Sequence, residues 1–139
     1  MSEHETPLTR AYWEDLGDGT LYEELRVVDA KAGVRSRRDV HGVIVLGEAH
    51  RIASPGERAG VSLNGKDVIV IQTKATSLNP YVFGQALLSM DLIRMRWAPR
   101  SLRSVLVCTA DDPGLRPVIG AFPVSKYAWT AQGATASSD

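Results

Sequence analysis

Four consecutive β-branched residues, Val68-Ile69-Val70-Ile71, run directly into Gln72-Thr73-Lys74. Strand side chains alternate between two faces. A strand that is apolar at every position therefore needs cover on both faces, which places it at the centre of a sheet. The same alternation sends Gln72 and Lys74 to one face, at the polar end of the strand. A lysine at the end of a buried strand needs water, a carboxylate or an anion beside it.

The flanking sequence supplies partners for this strand. Val40 to Leu46 is a β-branched run closed by Gly47, and Ala49 to Ala53 is a weaker strand. Ser54-Pro55-Gly56-Glu57 reads as a β-turn. Asn64-Gly65 lies between the apolar stretch Ala59 to Leu63 and the strand Lys66 to Ala75. This is a hairpin signal, because both turn positions need positive φ. Asn79 and Pro80 suit an N-cap and a first helical position. Val82, Phe83, Ala86, Leu87, Met90 and Ile93 then recur at helical spacing, up to about Trp97, before Pro99. Arg103 to Thr109 is another buried strand. Asp111-Asp112-Pro113 suits the cap of a short helix through Ile119, and Phe122 to Trp129 a last strand at an edge.

Ahead of the strands, Thr9 to Leu16 forms a short helix and Gly17-Asp18-Gly19 a turn. Leu21 to Val28 satisfies both a helical and a strand pattern. Asp29 to Arg38 reads as a polar, basic loop. The expected fold is α/β (α+β): a mixed central β-sheet with an antiparallel meander, flanked by helices. The chain has 139 residues, the size of one domain. That domain is expected over residues 10–130, after a flexible leader at 1–9. The small, polar segment at 131–139 is expected to be disordered.

Composition narrows the setting. No apolar run approaches the ~20 residues that span a bilayer, and the polar, acid-bearing start MSEHETPLTR is not a secretory signal. The lone Cys108 forms no internal disulfide and reads as a buried strand residue. A cytoplasmic protein is expected. The formal net charge is zero, which argues against a strong non-specific polyanion binder. Basic residues do cluster locally, at Arg35, Arg37 and Arg38 and again at Arg94, Arg96, Arg100 and Arg103. Trp13, Trp97 and Trp129 read as packing residues. His50 reads as a surface residue. No Cys/His cluster has zinc spacing, and the nucleophile-elbow and phosphate-loop motifs are absent.

Asp39 and His41 share one face at the start of their strand by alternation. If that strand neighbours Val68 to Ala75, an acid, an amide oxygen and an ammonium meet at one end of the sheet. Such a group suits Mg²⁺, which takes a few oxygen ligands and keeps its waters.

The order of acid-bearing strand, hairpin, apolar strand ending in Gln72-Thr73-Lys74, and helix with Gly84-Gln85-Ala86-Leu87 resembles the PD-(D/E)XK nuclease superfamily. The resemblance covers about residues 20–109. It implies a restriction endonuclease-like core and cleavage of DNA phosphodiester bonds with Mg²⁺ or Mn²⁺. Lys74 matches the family lysine, Gln72 the residue two before it, and Gln85 the helix position. The acid of the family's first element falls on Glu24, with Glu23 in reserve. The acid of the next strand falls on Asp39, or its place is taken by His41. The resemblance thus implies Asp39, Gln72, Lys74 and Gln85 as catalytic residues and Glu24, Asp39 and Gln72 as metal ligands. Arg35, Arg37, Arg38 and Arg94 are the expected phosphate contacts, and a homodimer the expected assembly. The alternative is a degenerate nuclease fold that binds nucleic acid or a protein partner without cleavage.

Overall fold

The computed structural model describes residues 6–29, 31–33, 38–77, 80–110, 124–130 and 133–137; side chains are described through residue 73 and again over 84–108. The elements in chain order are α1 (Thr6–Leu16), β1 (Thr20–Val28), β2 (Arg38–Val45), β3 (Arg51–Ile52), α2 (Pro55–Gly60), β4 (Asp67–Ser77), α3 (Pro80–Arg96), β5 (Ser101–Ala110), β6 (Val124–Thr130) and β7 (Gly133–Ser137). They form an α+β fold around one mixed sheet of order β3-β1-β2-β4-β5-β6-β7. β1, β2 and β4 pair antiparallel, whereas β4, β5 and β6 pair parallel. The parallel step from β4 to β5 needs a crossover, and α3 supplies it.

β4 is central, as its apolar run requires. Val68 and Val70 enter one core cluster with Ile93 of α3, while Ile69 and Ile71 enter a second with Leu8 and Trp13 of α1. All four β4 residues are at most 1% exposed. At roughly 1.5–3 kcal/mol for each buried aliphatic side chain, this strand is a large part of the folding free energy. Gly42 of β2 lets α1 come close: a Cβ there would sit 2.8 Å from Thr9 Cγ2.

The strand alternation breaks at one rung. Tyr22 and Leu25 of β1 bury in the same cluster although three residues apart, and so do Val40 and Val43 of β2. Glu23 pairs with Gly42 and Leu25 with Val40, so both strands change parity between these pairs, at Glu24 and His41. Glu24 absorbs the change with φ +50, a left-handed backbone that costs a non-glycine residue about 1–3 kcal/mol. The period-2 argument that put Asp39 and His41 on one face therefore does not carry through this rung.

Three local expectations are corrected. Ser54 to Glu57 is not a free turn but the start of α2. Ser54 Oγ accepts from the Glu57 N–H at 3.4 Å, and the Glu57 carboxylate accepts from the Ser54 N–H at 2.9 Å, a reciprocal capping box. Asn64-Gly65 turns the chain without making a hairpin, because β2 and β5 already flank β4. Leu63 instead buries in the core. Asn64 Oδ1 accepts from the Ala98 N–H at 2.7 Å, tying the turn to the loop after α3. Third, the tail expected to be disordered contributes β7, which pairs antiparallel with β6, so β6 is not the edge strand. The ambiguous segment at Leu21 to Val28 is strand β1. The short helix expected after Asp111 falls outside the described residues. No helix among the described residues is long and apolar enough to cross a membrane.

Candidate active site

Parallel strands with a helical crossover tend to bind ligands beyond their carboxyl ends. In this sheet that end is where β4 and β5 finish, β2 begins and α3 starts, since Gly42 pairs with Ile71 and Lys74 with Cys108. Arg38, Asp39, His41, Gln72, Lys74 and Gln85 all belong to this end of the sheet.

β2 and β4 part company here. Their ladder ends at the Gly42–Ile71 pair. Beyond it the Thr73 N–H donates to His41 Nδ1 at 2.9 Å, and Thr73 Oγ1 lies 2.7 Å from the same nitrogen. The imidazole fills the fork between the strands. His41 is thus committed to the backbone of β4, a structural task.

Gln72 follows Val68 and Val70 toward the α3 side by alternation. Its Oε1 is buried with no hydrogen-bond partner within the described protein. A buried amide oxygen left in that state costs about 1–3 kcal/mol, so the position favours something that accepts its lone pair. Gln85, from the first half of α3, accepts a hydrogen bond from the Arg38 guanidinium. Two residues expected at the site, one on the helix and one on β2, are thereby joined. Lys74 occupies the β4 position opposite Cys108; its side chain, and all of Arg35 and Arg37, fall outside the described residues.

The two expected acids share a cleft. Glu24 and Asp39 line a cavity of about 350 Å³ together with Arg26, Asp29, Arg58, Arg96 and Trp97. Asp39 Oδ1 lies 3.6 Å from Arg26 Nε. Arg58 of α2 donates from Nη1 to the Glu23 carbonyl, next to the strained Glu24. Arg96 Nη1 lies 3.8 Å from Asp29 and its guanidinium sits over the Trp97 ring, 4.9 Å from the centroid. Gln72 is not among the residues lining this cavity. Arg94 pairs with Asp91 one turn back at 3.8 Å and does not line it either.

Glu24, Asp39 and the Gln72 amide oxygen are hard oxygen donors of the kind Mg²⁺ takes, with waters completing its octahedron. The orphaned Gln72 Oε1 fits such a group by its chemistry, but Gln72 stands outside the cleft that Glu24 and Asp39 share. Among the described residues no three of His, Cys, Asp and Glu are grouped as a metal cage. A two-carboxylate site does not require such a cage.

The sequence missed Arg58, Arg26 and Asp29 as neighbours of Glu24. The Ser54-x-x-Glu57 capping box was the available signal for α2, and hence for Arg58. No family model, curated protein or solved structure matches the chain.

Proposed function

We propose that this chain is a restriction endonuclease-like protein that hydrolyses nucleic-acid phosphodiester bonds with Mg²⁺ or Mn²⁺ at the carboxyl end of β4. The observation that carries the reading is the buried Oε1 of Gln72, which has no hydrogen-bond partner among the described residues, two residues before Lys74 on the central strand. The shared cleft of Glu24 and Asp39 supports it, as do the strain at Glu24 and the α3 residue Gln85 joined to Arg38. In this reading Glu24, Asp39 and Gln72 would hold the metal, which when bound would supply an activated water and neutralise charge on phosphate. Lys74 stabilises the charge that develops on the attacked phosphate. Gln85 and Arg38 hold the phosphate in place.

A second reading has its own observation. Asp39 faces Arg26 and His41 is spent on Thr73, so the β2 contribution to a metal site is partly neutralised. A protein of this kind binds the nucleic acid and does not cut it.

Titration calorimetry with Mn²⁺ on the wild type and on Glu24→Ala separates the two. Heat in the wild type that is lost in the variant is the expected result for the hydrolase. No heat in either, with oligonucleotide binding indifferent to metal, would leave the binding protein.

A further inference from the structure

The cleft beside Glu24 has a composition that a metal site alone does not explain. Three guanidinium groups reach it from three elements: Arg26 from β1, Arg58 from α2 and Arg96 from the end of α3. None is spent on a tight carboxylate pair. Arg58 is half-buried and donates one N–H to the Glu23 carbonyl, and a guanidinium has five donors. Arg26 and Arg96 stand 3.6 and 3.8 Å from Asp39 and Asp29, half-exposed pairs of the kind worth little. A phosphate, which accepts guanidinium bonds in bidentate geometry, competes well for such groups.

The cleft also has a flat wall. Arg96 lies over Trp97, and a nucleobase stacks on guanidinium planes as it does on aromatic rings. The volume of about 350 Å³ is at the small end of ligand pockets. It has room for one nucleotide unit, whose base can stack on that wall only when it is not held in a duplex.

We propose that this cleft holds one nucleotide of a single-stranded nucleic acid, with its phosphate on Arg58 and Arg26 and its base against the Arg96–Trp97 stack. The inference rests on the proposed function only in taking nucleic acid as the ligand. It deepens that reading by naming a single strand as the substrate, and it makes α2 part of the binding surface. It also separates Arg96 from Arg94, two residues along the same helix.

The test is fluorescence anisotropy with a fluorescein-labelled oligothymidylate, in EDTA and at low salt, on the full chain. Wild type, Arg58→Ala, Arg58→Lys, Arg96→Gln and Lys66→Ala are compared, with circular dichroism on each. Lys66 precedes β4, at the opposite end of the sheet from the strand termini above. The expected result is a Kd raised about tenfold or more in Arg58→Ala and Arg96→Gln. The slope of log K against log salt should fall by about one for Arg58→Ala. Arg58→Lys should fall between wild type and Arg58→Ala, and Lys66→Ala should match wild type. Equal affinity across all variants would overturn the proposal, and so would tighter binding of a hairpin duplex than of the single strand. Because EDTA removes the metal, failure of hydrolysis is read separately: a protein that binds through Arg58 but never cuts leaves this inference standing.

Discussion

Thr73 donates its backbone N–H to His41 Nδ1 at 2.9 Å, two residues past Ile71 of the last β2–β4 rung. The side chain stands in for a carbonyl that the diverging strand no longer offers. Thr73 is 2% exposed, so water does not replace the lost acceptor readily. His41→Ala is expected to lower stability by about 1–3 kcal/mol. His41→Asn, which keeps an acceptor, should recover part of it. Urea unfolding at neutral pH measures both.

Glu24 holds φ +50 in the middle of a strand. Glycine adopts that backbone without strain. Glu24→Gly is expected to leave the protein as stable as wild type, or more stable by up to about 1 kcal/mol, while abolishing the heat of Mn²⁺ binding. Thermal unfolding and calorimetry on the same sample separate the two effects. A glutamate kept for stability alone would instead lose stability on replacement.

Gly19 is constrained twice. Its φ is +85, and a Cβ there would meet Val45 O at 2.6 Å. That carbonyl belongs to the sheet and has little freedom to retreat. Gly19→Ala should cost more than the ~1 kcal/mol typical of a strained φ alone, which denaturant titration would show.

Asp67 accepts from Arg100 Nε at 2.9 Å and from Ser101 Oγ at 2.7 Å. The Arg100 guanidinium, and then Ser101, hold its carboxyl down at about 2, below the ordinary 3.8. A depressed acid stabilises the fold above its unfolded value and loses that contribution as pH falls toward the folded one. The stability gap between wild type and Asp67→Asn should therefore be full above about pH 5 and shrink steadily as pH falls below 4 toward 2. Urea midpoints across that range test the sign.

The sheet's centre was legible because burial on both faces leaves one sequence signature, the unbroken Val68–Ile71 run. α3 was legible from Pro80 at its start and from the helical spacing of Ala86, Met90 and Ile93, all buried. Gln72 and Gln85 came out at the expected end of the sheet for the same reason, since strand alternation and helix spacing are local rules. The parity break at Glu24 and His41 was not legible. Nothing in the run from Glu23 to Val28 marks a left-handed residue, and a glutamate is a poor signal for one. α2 was misread because Pro55 and Gly56 serve a turn as well as a helix start. The reciprocal Ser54–Glu57 bonds decide between them. The cleft was hidden for a third reason: Arg26, Arg58 and Arg96 are far apart in the chain, and only the sheet and two helices bring them together.

The most direct test of the central claim is a cleavage assay on a labelled single-stranded oligonucleotide, with Mn²⁺ or Mg²⁺ and with EDTA, comparing wild type with Lys74→Ala. The account predicts metal-dependent cutting by the wild type and a loss of at least about a hundredfold in the variant, with its circular dichroism unchanged. A folded wild type that binds the strand but leaves it intact in both metals would contradict it, as would a Lys74→Ala protein that cuts at the wild-type rate.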